Sequence, residues 1–562
     1  MAFLLASLRA AIERALRGAA EAAGEELGLA AGFTLPDFTV EVPREKEHGD
    51  FATNLALLLT KPARRPPRQV AEAIVRRLPL EGISVAEVSI AGPGFINFRL
   101  DPSWVYGVLP EIDEAGADYG RSSIGGGRRV QVEFVSANPT GLLHMGNARG
   151  AALGDSLASL LAFAGFDVER EYYINDAGHQ VENMALSLEA RFLQALGRDV
   201  PVPEDGYHGE DLKDTVRRFI EENGTGLAEA APEERRARLL AYGLNEKITA
   251  IRESLERFGV RYDVWFSEQT LHRSGAVPET IDLLRSRGHL YEKEGALWFR
   301  AAAFGVEKDE VLVRANGVPT YYAADIAYHK NKFDRGFAWV IDIWGADHHG
   351  HVARMKAALD ALGYDPEALD VILMQLVRLY QGGEIVRMSK RTGRFVTLDE
   401  LLDEVGTDAA RYFFVTRSAD SHLDFDLDLA KRQSNENPVF YIQYAHARIA
   451  SVLRRLEARG RPLPRAREVD PTLLREPEEM ALLRRLADFP EEVNRAALDM
   501  APHRVAHYVH DLAGLFHGFY NAHRILGAGP GLEEARLVLA VATKTVIKTA
   551  LTLLGVSAPE RM

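Results

Sequence analysis

Two short stretches of the chain contain the residues best suited to phosphate chemistry. The first is residues 144–147, His-Met-Gly-Asn, at the start of a predicted helix, and the second is residues 387–391, Arg-Met-Ser-Lys-Arg, in a glycine-rich basic loop. A helix N-terminus presents unpaired N–H groups and the positive end of the helix dipole to an anion. A lysine on a mobile loop can bind a transition state more tightly than the ground state. Together the two stretches predict a nucleotide-binding site.

The elements that must position the first stretch can be read from its surroundings. Val130, Val132 and Phe134 favour a strand, and Asn138-Pro139 marks the loop that follows it. A helical pattern begins at His144. This strand–loop–helix unit places a helix N-terminus beside the C-terminal end of a strand, where α/β proteins bind nucleotides. The spacings of the dinucleotide fingerprint and of the Walker loop are both absent.

These residues also resemble a known family. Residues 144–147 resemble the "HIGH" motif of class I aminoacyl-tRNA synthetases, and residues 387–391 resemble the "KMSKS" motif that accompanies it. The surrounding Ser-Ala-Asn-Pro-Thr-Gly (136–141) and Ala-Arg-Gly-Ala (148–151) are similar to the arginyl-tRNA synthetases in particular, and the resemblance runs over essentially the whole chain. It implies that the protein activates L-arginine with ATP and transfers it to the terminal adenosine of its tRNA, through the ribose 2′-OH.

The resemblance also implies a fold and a division into domains. The expected architecture is multidomain, with an α/β Rossmann-like catalytic domain built on a parallel sheet. A small α/β N-terminal domain and an all-α C-terminal bundle accompany it. The expected boundaries are 1–112 for the tRNA-elbow domain, 113–415 for the catalytic domain with a helical and β insertion at about 190–320, and 416–562 for the connector and anticodon-binding domain.

In this resemblance His144, Asn147 and Lys390 are catalytic, and the ATP-binding residues are His144, Gly146, Asn147, His351, Met388, Ser389 and Lys390. Gly146 has no Cβ, so adenosine can approach the backbone closely. Asn147 stands where the family more often has a second His, and its amide donates hydrogen bonds but cannot be charged. Arg387 and Arg391 depart from the usual motif but remain donors. The position three residues before His144, where some relatives have a substitute lysine, is Gly141, which leaves the role to Lys390. The alternative for residues 387–391 is a solvated basic loop without a catalytic role.

Recognition of arginine requires carboxylates that can pair bidentately with a guanidinium, and an aromatic face. Tyr321 and Asp325 lie four residues apart on a predicted helix and therefore share a face. The resemblance places both in the side-chain pocket with Glu268, and it places Glu133 and Asn138 around the α-amino group, with Asp347 or His348 nearby. Glu268 could instead be an exposed turn acid. Asp347, His348, His349 and His351 could form a metal cluster, but the Mg²⁺ that accompanies ATP prefers oxygen ligands.

Two regions are candidates for tRNA binding. In residues 91–100 a turn precedes an alternating strand that places Phe95, Asn97 and Arg99 on one face. The resemblance implies that Phe95 stacks on a D-loop base and that Asn97 hydrogen-bonds it, while pattern alone equally fits a core residue of an edge strand. In the helical C-terminal third, the arginine-rich segment 448–467 contains Arg448, Arg454 and Arg455. An ordinary solvated surface is the alternative for these arginines.

The remaining elements follow from periodicity. Residues 1–29 are predicted as one helix and residues 44–58 as a loop that opens a helix. An antiparallel pair is expected at 296–300 and 311–314, and buried strands at 338–345 and 371–379. The other expected helices are at 398–404, 407–416, 439–456, 478–489, 504–518 and 532–554.

Composition limits the function classes. The chain has 562 residues, a net charge of −14 and no cysteine, which excludes disulfides and thiolate zinc sites. The overall acidity argues against a general nucleic-acid coat protein. No apolar window has the length of a membrane span and the N-terminus does not resemble a signal peptide, so cytoplasmic location is expected. The expected partners are ATP with Mg²⁺, L-arginine and arginine-specific tRNA. The resemblance implies a monomer, and the lack of cysteine indicates that there is no structural zinc.

Three alternative functions remain. The cysteine-specific class I enzyme usually needs a thiolate zinc site, which this chain cannot form. A small-molecule nucleotidylyltransferase shares the first motif but needs neither the N-terminal domain nor the helical C-terminal third. A non-catalytic tRNA-binding paralogue would have no use for His144, Asn147 and Lys390. Pyrophosphate exchange that depends on arginine separates the leading hypothesis from all three.

Overall fold

The computed structural model describes residues 3–30, 32–43, 45–386 and 396–562. The N-terminal part is an antiparallel sheet with three helices packed against it. Its elements are α1 (Leu4–Ala22), β1 (Val40–Glu41), β2 (Phe51–Thr53), α2 (Leu55–Ala63), α3 (Pro67–Val75), β3 (Val85–Ala91) and β4 (Phe95–Leu100). The strand order is β1-β2-β4-β3, so β4 is an inner strand.

Two predictions for this part need correction. The helix expected over residues 1–29 ends at Ala22. The loop expected over residues 44–58 contains β2, whose three residues are all buried and pair with β4. Three residues are too short for an alternating pattern to be recognised in the sequence, so only the tertiary pairing reveals this strand.

The middle of the chain forms a parallel α/β layer. Its elements are α4 (Val108–Ala115), β5 (Arg129–Glu133), α5 (Met145–Phe163), β6 (Asp167–Ile174), α6 (His179–Ala195), α7 (Glu210–Asn223), α8 (Pro232–Arg257), β7 (Val264–Ser267), α9 (Glu268–Ser274), α10 (Ala276–Ser286), β8 (Leu290–Lys293), β9 (Ala296–Phe299), β10 (Glu310–Val313), α11 (Tyr321–Asp334), β11 (Trp339–Gly345), α12 (His349–Ala361) and β12 (Leu369–Met374). Five strands form a sheet of order β12-β11-β5-β6-β7 in which every pair is parallel. The predicted fold class is confirmed.

The centre of this sheet is β5, and α5 packs closely against the residue that follows it. Val130, Val132 and Phe134 are fully buried. A Cβ on Gly154 of α5 would come within 2.1 Å of the Phe134 ring, so only glycine permits this approach of helix and strand. The close packing fixes the N-terminus of α5 relative to the C-terminal end of β5.

A small antiparallel sheet, β10-β9-β8, and the helices α7 and α8 interrupt the parallel layer. The predicted pairing of residues 296–300 with 311–314 is confirmed by β9 and β10, and β8 adds a third strand. The Asn316-Gly317 turn then brings Pro319 back to bridge Val313 before α11 begins. The turn therefore delivers the start of α11 to the carboxyl edge of the parallel sheet.

The next segment forms a second sheet. Its elements are β13 (Val377–Gln381), β14 (Glu384–Ile385), α13 (Leu398–Val415), β15 (Leu423–Asp426) and α14 (Leu427–Lys431), and the strand order is β14-β13-β15. The single strand predicted over residues 371–379 is wrong, because the chain leaves the parallel sheet after Met374 and joins this second sheet at Val377. The two helices predicted at 398–404 and 407–416 are the halves of α13, separated at Gly406, whose φ is 78°.

The C-terminal part is helical. Its helices are α15 (Pro438–Glu457), α16 (Pro477–Leu498), α17 (His503–Ala522) and α18 (Leu532–Leu553). They include all four of the predicted helical segments in this region, and they share one continuous hydrophobic core with β5 and α5 of the parallel layer. None of the helices in the described ranges combines the length and the apolar character that a membrane crossing requires.

Candidate active site

The start of α5 is a capping structure built from the first motif. The His144 side chain accepts a hydrogen bond from the Gly146 N–H through Nδ1 at 3.1 Å. The Asn147 Oδ1 accepts one from the His144 N–H, also at 3.1 Å. A Cβ on Gly146 would lie 3.0 Å from the His144 ring, so glycine makes room for the imidazole itself. Because Nδ1 is an acceptor, the neutral ring has its proton on Nε2, which is the donor that a phosphate requires.

The first motif is joined directly to the segment that follows the second. His144 forms an antiparallel bridge with Thr397, and the Leu398 N–H donates to the Leu143 carbonyl at 2.9 Å. Thr397 caps α13, just as His144 caps α5. Met388, Ser389 and Lys390 precede this junction but lie outside the described residues. Thr397 and Leu398, which follow the second motif in the described part of the chain, therefore lie against the N-terminus of α5.

The loop that leaves β5 has a strained backbone. Val135 and Ser136 have φ values of 70° and 40° without being glycine. The Ser136 hydroxyl donates to Glu133 at 2.9 Å and accepts from the Tyr173 N–H at 3.1 Å, which stabilises this conformation. Such strain costs about 1–3 kcal/mol per residue and is typical of functional sites.

The candidate arginine pocket is a cavity of about 740 Å³ at the carboxyl edge of the sheet. Its lining includes Glu268 from the start of α9 and Tyr321 from the start of α11. The Tyr321 hydroxyl accepts a hydrogen bond from the His179 N–H at 3.2 Å, which holds its ring against the start of α6. The structure thus brings together two residues that are 53 positions apart in the sequence.

Glu268 is 4% exposed, which excludes the alternative of a solvent-exposed turn acid. Burial raises the pKa of the Glu268 carboxyl, and the nearby Asp325 carboxylate raises it further, against opposing hydrogen bonds from His272 and Tyr173. Burial together with Glu268 and Asp325 also raises the pKa of the Tyr173 hydroxyl, which is close to both carboxyls. A cationic side chain entering the pocket would relieve this crowding of acids.

The other residues predicted around arginine and ATP occupy varied positions. His351 pairs with Asp325 at 3.2 Å and packs on Trp344 at 5.4 Å between ring centroids. Asn138 donates to Gln180 at 2.8 Å. Asp347 and His348 lie in an exposed turn before α12. Among the described residues, these side chains do not form a group of three donors within 4.8 Å.

Below the pocket lies a network of buried charges that sequence reasoning missed. Lys332 of α11 is fully buried, and its Nζ lies 2.5 Å from Glu133 and 2.7 Å from Asp342. His329 pairs with Asp342 at 2.8 Å and contacts the Asp325 carbonyl through Nδ1, also at 2.8 Å. The network ties α11, which contains Tyr321 and Asp325, to strands β5 and β11.

The pKa values of the two carboxyl groups in this network, Glu133 and Asp342, are shifted in opposite directions. Burial raises the pKa of Glu133, and the Lys332 ammonium only partly opposes it. Burial also acts on Asp342, but Lys332 and His329 outweigh it and lower the pKa of that carboxyl to about 2. Glu133 was predicted to contact the arginine α-amino group, yet here its carboxylate already binds Lys332 and Ser136. A signal for the network existed in the sequence: Asp342 is a charged residue within an apolar strand.

Arg149, two residues after the first motif, is another residue that sequence reasoning missed. It is completely buried, and its guanidinium donates to the carbonyls of Gln375, Ser418 and Ser421 at 2.7–2.9 Å. Burial lowers the pKa of Arg149 to about 10. The three bonds fix α5 to the crossing between the two sheets and to the segment after α13.

The predicted tRNA-contacting residues differ in accessibility. Phe95 is 37% exposed, as a stacking platform requires, but Asn97, two residues further along the same strand, is only 5% exposed. Arg448 stacks on Tyr444 and Tyr520 at 4.6 and 4.7 Å, which forms an aromatic and cationic surface suited to bases. Arg454 donates to the Glu560 carbonyl at 2.9 Å, and Arg455 is exposed.

Comparison with known proteins agrees with this geometry. The protein-family model described as "tRNA synthetases class I (R), catalytic domain" matches residues 116–418. "Arginyl tRNA synthetase N terminal domain" matches residues 6–100, and "DALR anticodon binding domain" matches residues 442–562. The fold and the site at the start of α5 therefore define a class I aminoacyl-tRNA synthetase.

Individual relatives specify the amino acid. The chain is 73% identical to an arginine–tRNA ligase of Desulforudis audaxviator over 100% of both chains, and 62% identical to one of Desulforamulus reducens, also over 100% of both. The solved arginyl-tRNA synthetase of Thermus thermophilus is 27% identical with a TM-score of 0.73, covering 98% of this chain and 100% of that one. The chain belongs to the arginyl-tRNA synthetase family, and its reaction is the ligation of arginine to tRNA with ATP.

Proposed function

We propose that arginine is activated in the cavity between Glu268 and Tyr321, with the phosphates of ATP at the start of α5. The observation that best supports this assignment is a buried carboxylate and an aromatic ring that line one cavity, with a second carboxylate, Asp325, close by. This combination suits the planar, cationic guanidinium. The carboxylates discriminate by charge, so no separate editing site is needed.

The chemistry then follows from positioning. The arginine carboxylate attacks the α-phosphorus of ATP, and pyrophosphate leaves. His144 donates from Nε2 and Asn147 from its amide, while Lys390 neutralises the charge that develops in the transition state. Gly146, Met388, Ser389 and His351 complete the ATP contacts. Mg²⁺, which prefers oxygen ligands, would accompany ATP and would supply positive charge to its phosphates. The ribose 2′-OH of the terminal adenosine then attacks the arginyl carbonyl, and AMP leaves.

The remaining arginine contacts are proposed at the pocket rim. Asn138 is placed at the α-amino group, with Asp347 or His348 nearby in the exposed turn before α12. Glu133 is proposed to act on the arginine α-amino group through its negative charge and not through a hydrogen bond, because its carboxylate is bound to Lys332.

For tRNA, we propose that Phe95 stacks on a base at the elbow and that the surface around Arg448 binds the anticodon region with Arg454 and Arg455. The exposure of Phe95 and the ring contacts of Arg448 support these roles. Asn97, which is 5% exposed, is proposed to hydrogen-bond the base on which Phe95 stacks. The proposed domains are 1–112, 113–415 with an insertion at about 190–320, and 416–562, a division that the three matched regions support. We further propose a monomer in the cytoplasm without structural zinc.

The experiment that tests the assignment is ATP–pyrophosphate exchange with each of the twenty amino acids, with and without bulk tRNA. Exchange with arginine only, lost in an Asp325→Asn variant, is the expected result. Exchange that persists at unchanged arginine KM in that variant would refute the pocket assignment. Exchange that needs tRNA would in addition show that tRNA completes the site.

A further inference from the structure

The loop after β6, residues 175–178 (Asn-Asp-Ala-Gly), is bonded to both residues that flank Glu268. The Asp176 carboxylate accepts from the Ser267 hydroxyl at 2.6 Å and from the Gln269 N–H at 3.0 Å. The Gln269 side chain returns a hydrogen bond to the Asp176 carbonyl at 2.9 Å. Asp176 thus fixes the backbone on each side of Glu268, at the point where β7 becomes α9.

The residue before it contacts Glu268 itself. With its amide nitrogen directed at the pocket, Asn175 donates to Glu268 Oε2 at 3.0 Å and to the Ala177 carbonyl at 3.1 Å. The other carboxylate oxygen, Oε1, lies 3.3 Å from His272 Nε2. Both carboxylate oxygens of Glu268 therefore have protein partners, and the Tyr173 hydroxyl is a further hydrogen-bond partner of the group, so these contacts together set the plane of the carboxylate.

The same loop positions the aromatic wall. A Cβ on Gly178 would lie 2.9 Å from the Tyr321 ring, so this glycine packs directly under the aromatic side chain. Its φ of 82° also favours glycine. One four-residue loop therefore touches the carboxylate on α9 and the ring on α11, two groups that must face the same guanidinium.

We propose that Asn175 and Asp176 are positioning residues for arginine recognition, which hold Glu268 in the plane that a bidentate contact with the guanidinium requires. This inference rests on the proposed role of Glu268 in the pocket. Neither residue needs to touch arginine, because both act through the position of Glu268. A bidentate pair depends on geometry more than a single hydrogen bond does, so a rotated carboxylate loses most of the interaction.

The test compares Asp176→Ala, Asp176→Asn and Glu268→Gln by pyrophosphate exchange with saturating tRNA. Asp176→Ala is expected to raise the arginine KM by about tenfold or more, which equals about 1.4 kcal/mol, while the KM for ATP stays within about twofold. Asp176→Asn should restore most of the affinity, because its oxygen can still accept from the Gln269 N–H and its amide can donate to the Ser267 hydroxyl.

Asp365→Ala is the matched control. Asp365 also accepts a backbone N–H, from Glu367 at 2.9 Å, but it precedes β12 and so lies at the opposite edge of the parallel sheet. The Asp365→Ala variant should change neither the KM for arginine nor the KM for ATP.

The outcomes distinguish the proposed role of Glu268 from the positioning role of Asp176. If Glu268→Gln leaves the arginine KM unchanged, the proposed role of Glu268 fails. If Glu268→Gln raises that KM and Asp176→Ala does not, the positioning role is refuted. Equal losses for arginine and ATP in Asp176→Ala, with a lowered melting temperature and no rescue by Asp176→Asn, would also overturn it, since they indicate general unfolding.

Discussion

Replacing Lys332 with methionine should destabilise the catalytic part more than any surface change. The Lys332 Nζ lies 2.5 Å from Glu133 and 2.7 Å from Asp342, and all three side chains are buried. Methionine keeps the length of the side chain but removes the charge that compensates two carboxylates. Removal of one partner from a buried ion pair costs about 3–5 kcal/mol. We expect a loss in this range, together with a higher arginine KM, because α11 contains Tyr321 and Asp325.

The loss should depend on pH in a defined direction. In the wild type the Asp342 pKa is about 2, below its unfolded value, so its contribution is present above the unfolded pKa and is lost as the pH falls through about 2. In Lys332→Met, loss of the ammonium raises the folded pKa of both carboxyls, because Glu133 loses its main counter-charge and Asp342 retains only His329. A raised pKa gives stability that is lost as pH increases, so the deficit of the variant should be larger at about pH 8 than at about pH 5.

The assay is urea unfolding followed by tryptophan fluorescence, since four of the five tryptophans lie within residues 116–418. Lys330→Met is the control, because Lys330 is on the same helix and pairs with Asp334 at a more exposed site. An exposed pair of this kind contributes about 0–1 kcal/mol. Equal losses in the two variants, or a Lys332→Met deficit that grows toward about pH 5, would refute the reasoning.

Three further predictions concern the reaction, tRNA binding and the stability of the fold. Lys390→Ala should lower kcat in pyrophosphate exchange by about 10²–10³, the usual cost of losing one transition-state donor, with little change in arginine KM; a change in KM alone would contradict it. Arg448→Ala should raise the KM for tRNA and reduce its salt dependence by about one phosphate contact, while exchange at saturating tRNA is unchanged; equal effects on both would argue for misfolding. Arg149→Met should leave three carbonyls unpaired and lower the melting temperature, whereas an unchanged melting temperature would show that these bonds are not needed.

The sequence predicted those elements whose periodicity is long. The four C-terminal helices have apolar residues at helical spacing over 20 or more residues each, and strands β11 and β12 of the parallel sheet are rich in apolar residues. The short strand β2 and the switch between sheets at residues 375–376 could not be predicted, because both depend on pairing with distant segments. A continuous apolar run does not show where a chain leaves one sheet for another.

Some features of the site could likewise be predicted from the sequence, and others could not. The spacing of Tyr321 and Asp325 correctly indicated a shared helix, and the first motif correctly indicated a helix N-terminus. The burial of Glu268 and its bonds to the 175–178 loop depend on the meeting of β6 with β7, which the sequence does not show. Lys332 was overlooked because a lysine on an amphipathic helix is normally exposed, and only its two buried acids explain its position.

The most direct test of arginine recognition by buried carboxylates is the ratio of kcat/KM for arginine to that for citrulline, in the wild type and in Glu268→Gln. Citrulline has nearly the shape of arginine but a neutral ureido group. Sites built for specific polar contacts discriminate by about 10⁴–10⁵, and we predict a ratio near this range that falls at least tenfold in Glu268→Gln. An unchanged ratio in the variant would contradict the account, because it would place the source of specificity elsewhere.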